Sequence, residues 1–172
     1  YNIKIYEDID LFTDLRVLNK FTIVSRSHVP ILDCKETEIV SFRSKNDYLE
    51  YFAIILKKGH LKMNPLVRIH SQCITGDILD SLKCDCGSQL KKSIKMMSND
   101  GGLLLYMPEE GRNIGLLNKL RAYEFQFHNI DTIDANHALG FDADQRRHEN
   151  ACELLKLLGV NSIKLITNNP EK

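Results

Sequence analysis

The sequence predicts a mixed α/β or α+β fold: a mixed β-sheet core with a β-rich N-terminal part and flanking helices. Three observations lead there. Roughly the first 60 residues carry short alternating or apolar runs of strand length. The apolar period turns helical after Cys86, and short strands then alternate with helices to the end.

In order, Lys20–Val24 alternates weakly, and Tyr51–Leu56 is an apolar run closed by Lys57-Lys58-Gly59. Leu66–His70 follows Pro65 and alternates, which puts Arg68 and His70 on one strand face, close to Cys73. Leu90, Ile94 and Met97 are spaced for one helix face, and Asn99-Asp100-Gly101-Gly102 ends that helix. Gly102–Tyr106 reads as a buried strand, closed by Pro108. Leu116, Leu120, Tyr123 and Phe127 make an apolar stripe on a helix beginning near Gly115. Ala151, Leu154, Leu155 and Leu158 make another, with Gly159 at the position after its C-terminus. Ser162–Ile166 is the last strand. No repeat, low-complexity tract or linker divides the chain, so a single domain over residues 1–172 is expected.

Composition narrows the function. Lys plus Arg and Asp plus Glu number 23 each, so no basic field points to nucleic acid, although a local cationic pocket remains open. Five cysteines, an odd number, fit a reducing compartment better than a disulfide framework. No apolar run approaches the roughly 20 residues of a membrane span, and the start is not a signal peptide. A soluble, cytoplasmic protein without membrane or nucleic-acid partner is the expectation.

Three of the cysteines lie close together, in Arg68-Ile69-His70-Ser71-Gln72-Cys73-Ile74-Thr75-Gly76-Asp77 and Cys84-Asp85-Cys86-Gly87-Ser88-Gln89. Three soft ligands suit a tetrahedral zinc and leave a fourth position open for water, as a catalytic site requires. The Cys84-x-Cys86 stretch is polar and turn-like, a poor place to pack thiols. A structural site would want a fourth ligand, and His70 is nearest in sequence. Cys34 and Cys152 stand apart and read as core filling. Glu110-Gly111-Arg112-Asn113-Ile114-Gly115 follows a strand and opens a helix, where glycine lets the backbone approach a ligand and arginine favours phosphate oxygens. Asp144-Gln145-Arg146 reads either as a polar helix start or as a paired acid and cation. Residues two apart on a helix point away from each other, so the two side chains can act together only if they are in a loop, with the helix beginning near Arg147.

From roughly Pro65 onwards these motifs resemble the GTP cyclohydrolase II family of riboflavin biosynthesis. The resemblance continues through Asp134-Ala135-Asn136-His137-Ala138-Leu139-Gly140-Phe141, Leu158-Gly159-Val160 and Thr167-Asn168-Asn169-Pro170. It implies one zinc per subunit on Cys73, Cys84 and Cys86, magnesium with the triphosphate, and GTP as substrate. Formate and pyrophosphate would leave, giving 2,5-diamino-6-hydroxy-4-(5-phosphoribosylamino)pyrimidine. It further implies nucleotide contacts at Arg68, Ile69, His70, Ser71, Gln72, Gln89, Glu110, Gly111, Arg112, Thr132, Thr167 and Lys172, with Arg112 on phosphate. Tyr123 is tied to ring opening; Asp144 would be proton acceptor and Arg146 nucleophile towards the α-phosphate, although charge stabilisation is the easier task for a guanidinium. A homodimer is implied, as is a C-terminal tail missing or disordered beyond Lys172. His137 reads as structural.

Five positions depart from the family pattern. Gln72 stands for glutamate, Pro108-Glu109 for an arginine-glutamine pair, Arg147 for an acidic residue, and His148 for an aromatic one. They imply altered nucleotide affinity or product, or a non-catalytic GTP-binding homologue with a regulatory role. A base deaminase is disfavoured because its His-x-Glu and Pro-Cys-x-x-Cys elements do not occur.

Overall fold

In the computed structural model, residues 3–10, 20–57, 63–127, 140–142, 144–146 and 148–169 are described. Seven strands form one open, mixed sheet: β1 (Lys4–Asp10), β2 (Phe21–His28), β3 (Thr37–Ser44), β4 (Glu50–Leu56), β5 (Leu66–Ser71), β6 (Gly102–Met107) and β7 (Ser162–Thr167), in the order β1-β7-β5-β6-β4-β3-β2. The β2-β3-β4 meander joins β6 antiparallel, whereas β5 runs parallel to both β6 and β7. Among the described residues, five helical segments accompany the sheet: α1 (Ile74–Asp77), α2 (Cys86–Asp100), α3 (Glu110–Asn113), α4 (Gly115–Phe127) and α5 (His148–Leu157). The expected mixed sheet, β-rich start and flanking helices are what forms.

Strand alternation divides two cores. Val67 and Ile69 of β5 and Leu103, Leu105 and Met107 of β6 face α5, whose Ala151, Leu154 and Leu155 are fully buried. Leu66 and Leu104 face the other way, onto Met97, Leu90 and Ile94 of α2. Arg68, His70 and Tyr106 share that α2 face, because they are even-numbered on the same strands. The polar site therefore grows from the α2 side, at the carboxyl ends of the parallel strands, where open α/β sheets commonly bind ligands.

Helix ends follow local chemistry. α5 closes in a Schellman motif: Val160 N donates to Leu155 O (3.0 Å), Gly159 N donates to Lys156 O (2.9 Å), and Gly159 has φ 78°. α4 departs from its apolar stripe. Leu120 is 46% exposed, while Lys119 and Ala122 turn inward. The helix is rotated because Lys119 has charged partners below it, which outweigh the burial of one leucine.

Candidate metal and nucleotide site

The β5 chain leaves the sheet at Ser71, and Gln72 N still donates to Met107 O (2.8 Å). Cys73 follows directly and caps the one-turn α1, so its position is fixed by the sheet edge. Cys84 and Cys86 enter from the start of α2. The three sulfurs lie within 4.8 Å of one another, with Cys73 Sγ and Cys84 Sγ 3.5 Å apart. A tetrahedral zinc with sulfurs at about 2.3 Å needs them roughly 3.8 Å apart, whereas a disulfide needs about 2 Å. The donors and their spacing fit a thiophilic metal.

Two glycines make the convergence possible. A Cβ on Gly76 would stand 2.8 Å from Cys84 Sγ and 3.1 Å from Cys73 Sγ, and a Cβ on Gly87 only 2.0 Å from the Gly76 carbonyl oxygen. The Cys73 thiol is drawn down to about 4, first by a hydrogen bond from Cys86, then against burial by Lys119 and Thr75. Cys86 is pushed up by the same neighbour. These hydrogen bonds favour the thiolate form of Cys73.

A buried carboxylate organises the ligand from behind. Asp77 accepts from Cys73 N (3.1 Å) and Tyr106 OH (2.8 Å), and its other oxygen lies 3.0 Å from His70 Nε2. Burial would raise this carboxyl, but His70 and Tyr106 bring it below its ordinary value. His70 is therefore an outer partner of the cluster rather than a fourth ligand; among the described residues, only the three cysteines form a metal-capable group. Arg68 donates to Gln89 Oε1 (2.6 Å) and Ile166 O (3.3 Å), and Gln89 donates to Asp85 (2.7 Å). Arg68 Nε and His70 Nδ1 are buried without a partner, on the same strand face. Ile69 packs into the α5-side core, so its side chain faces away from the site.

The Glu110-Gly111-Arg112 segment is a tight turn that leads directly into α4, which begins at Gly115 as expected. Gly111, Arg112 and Asn113 have φ of 62°, 60° and 75°. Left-handed backbone precedes the helix start, and the Arg112 side chain is exposed. Glu110 is buried with both oxygens engaged, one by Ile74 N (2.7 Å), the other by Lys119 Nζ (2.8 Å). Lys119 also donates to Cys73 Sγ (2.9 Å) and lies 5.7 Å from the Tyr123 ring centroid. Burial raises the Tyr123 phenol, a hydrogen bond with Thr75 opposes it, and the fields of Cys84 and Cys73 reach it.

Asp144 and Arg146 lie in a loop, and α5 starts at His148, as the spacing argument required. The loop is docked on the arginine turn: Gln145 N donates to Arg112 O (3.2 Å), and Asn113 Nδ2 donates to Gln145 O (3.2 Å). Arg146 grips Asp144 through Nε at 2.9 and 3.0 Å and through Nη2. Burial would raise Asp144, but these bonds and the nearby Arg112 bring it down to about 2. Asp144 hydrogen bonds raise Arg146 further, with contributions from Glu109 and Cys86. Glu109 is buried and accepts from Ser71 Oγ (3.1 Å).

This sets a pH expectation. The folded value of Asp144 lies below its unfolded value of about 3.9. Its contribution to stability is present above the unfolded value and lost as pH falls towards about 2. A carboxyl titration followed by NMR should place Asp144 near 2 in the wild-type chain, and Arg146→Gln should move it up towards the ordinary range. An unshifted Asp144 in wild type would remove the pair as drawn.

Thr167 caps its own chain through Asn169, donating to O (3.3 Å) and accepting from N (3.0 Å). Thr132, His137, Arg147 and Lys172 lie outside the described residues. Cys34 is core, as expected, whereas Cys152 is only half-buried. Lys119, Asp77, Tyr106 and Glu109 were not legible as site residues. Lys119 left one trace, a cation on a stripe of leucines, and Asp77 another, in the Thr75-Gly76-Asp77 run.

Comparisons with known proteins agree with this geometry. The sequence model of the GTP cyclohydrolase II family matches residues 23–172. The riboflavin biosynthesis protein RibBA of Staphylococcus epidermidis is 51% identical over 126 residues, 73% of this chain but 32% of that protein. GTP cyclohydrolase-2 of Azospirillum brasilense is 46% identical over 150 residues, 87% of this chain and 39% of that protein. GTP cyclohydrolase-2 of Vibrio vulnificus is 46% identical over 138 residues, 80% of this chain and 70% of its own length. The chain thus spans only 32–39% of the longer two relatives and most of the shorter one. A three-cysteine cluster, an arginine turn and a docked Asp-x-Arg loop, together with a match over residues 23–172, place this chain in the GTP cyclohydrolase II family.

Proposed function

We propose that the chain opens the guanine imidazole ring of GTP, releasing formate and pyrophosphate and forming 2,5-diamino-6-hydroxy-4-(5-phosphoribosylamino)pyrimidine, the entry step of riboflavin biosynthesis. The observation that carries the reading is the meeting of two chemistries at one sheet edge: Lys119 bonds both Cys73 Sγ (2.9 Å) and Glu110 of the arginine turn (2.8 Å), and the Asp144–Arg146 loop is docked on that turn through Gln145 N and Arg112 O (3.2 Å). Cys73, Cys84 and Cys86 would hold one zinc, which supplies Lewis acidity and an activated water at neutral pH. Tyr123, hydrogen-bonded to Thr75, would move a proton as the ring opens. Arg68, His70, Ser71, Gln72 and Gln89, with the main chain at Ile69, line the base and ribose, and Thr167 stands at the neighbouring strand end. Thr132 and Lys172 belong to the same reading by resemblance.

Arg112 and Arg146 would bind phosphate oxygens, with magnesium accompanying the triphosphate. Arg146 acts as an electrostatic clamp rather than a nucleophile. Its guanidinium is stabilised in the charged form by Asp144, the opposite of what nucleophilic attack requires. Asp144 fixes the clamp's orientation. Glu110 and Gly111 shape the turn. A homodimeric, cytoplasmic enzyme acting on a small molecule completes the reading; no helix among the described residues is long and apolar enough to cross a membrane.

The test is incubation of zinc-loaded protein with GTP and magnesium, assaying formate and pyrophosphate together. Both products are expected. Pyrophosphate alone would mean that the metal step fails. Neither product despite GTP binding would favour a regulatory GTP-binding homologue, the alternative that rests on the Pro108-Glu109 and Arg147-His148 departures.

A further inference from the structure

Lys119 has no part in the chemistry above, yet it joins the sulfur cluster to the arginine turn. It is 8% exposed, and its ammonium donates both to Cys73 Sγ (2.9 Å) and to Glu110 Oε1 (2.8 Å). The second oxygen of Glu110 accepts from Ile74 N, one residue beyond Cys73 (2.7 Å). Lysine and glutamate together therefore hold the Cys73 segment by its sulfur and by its main chain. The fit is tight enough to constrain the turn: a Cβ on Gly111 would lie 3.0 Å from Lys119 Cβ. A simple buried ion pair would need no third partner and would contribute little net stability. The bond to sulfur is what a structural role leaves unexplained.

We propose that Lys119 is a positioning residue for the Cys73 thiolate: its hydrogen bond draws electron density from that sulfur and fixes its direction, and its bond to Glu110 ties that adjustment to the Arg112 turn. The proposal rests on the reading of the three cysteines as a metal site. A thiolate that accepts a charged hydrogen bond is a weaker donor, which leaves the metal it ligates more electron-poor. Loss of such an outer partner typically costs roughly 10–100-fold in activity or metal affinity.

Cobalt-loaded full-length chain gives a direct readout, because sulfur-to-cobalt charge-transfer absorption reports the energy of the sulfur electrons. Lys119→Met should move that band to longer wavelength and lower kcat for formate release roughly 10–100-fold, with KM for GTP unchanged. Lys119→Arg, which keeps a cationic donor, should hold the band near its wild-type position. Glu110→Gln frees the ammonium from its carboxylate, strengthens its bond to sulfur and should shift the band the opposite way. That variant decides the matter even if Lys119→Met does not fold. An unmoved band in cobalt-replete Lys119→Met or Glu110→Gln would overturn the proposal, as would a loss confined to KM. No charge-transfer band in the unmutated protein would instead overturn the metal-site reading itself, and this inference with it.

Discussion

Cys84→Ser is expected to eliminate formate release and to reduce bound zinc from one per chain to none, with the fold retained. Serine is nearly isosteric with cysteine, so packing changes little. The oxygen, however, stays protonated at neutral pH and is a poor ligand where a thiolate is wanted. Cys84 is also partly exposed and sits outside both apolar clusters, so its removal leaves no core cavity. With two sulfurs left, the metal loses a third of its protein ligands. The fall in formate release should greatly exceed the roughly 10–100-fold typical of an outer partner. Cys152→Ser is the control: that thiol is on α5, outside the cluster, and formate release should be unaffected. Metal content by elemental analysis and formate by coupled assay settle the point. A Cys84→Ser protein that keeps its zinc and its turnover would sink the three-thiolate site.

Much of this arrangement is legible in the chain because its signals are local. Alternation in Leu66–His70 puts Arg68 and His70 on one face, and the structure finds both on the α2 side, bonded to Gln89 and Asp77. The i, i+2 argument placed Asp144 and Arg146 in a loop, where the two side chains grip each other. Other features depend on partners far away in sequence. Lys119 turns inward only because Cys73 and Glu110 wait beneath it, and no leucine periodicity reveals that. The Glu110 turn needs positive φ at Arg112 and Asn113, residues that carry no such preference as glycine does. β3 is obscured because its buried face includes Glu38 beside Val40 and Phe42; Arg26 neutralises that carboxylate from the neighbouring strand.

Gly87→Ala is expected to dismantle the same site without touching a ligand. A methyl at this position would lie 2.0 Å from the Gly76 carbonyl oxygen and 2.9 Å from its carbon, both main-chain atoms that cannot rotate aside. Relief requires α2 to move away from α1. Those two segments carry Cys86 and follow Cys73, so any such movement separates the sulfurs that must lie within 4.8 Å. Overpacking of this kind costs about 1–3 kcal/mol and more when backbone is struck. At roughly 3 kcal/mol, a domain of this size should lose roughly 6–12 °C in Tm. Zinc content should fall with it. Gly115→Ala separates steric from conformational cost, since Gly115 has φ 81° and nothing within 4 Å of an added Cβ. That variant should lose only the roughly 1–2 kcal/mol of left-handed backbone strain and keep its metal. Calorimetry and metal analysis on the pair give the answer. If Gly87→Ala retained full zinc and melted no lower than Gly115→Ala, the close α1–α2 approach could not be what holds the three thiolates together.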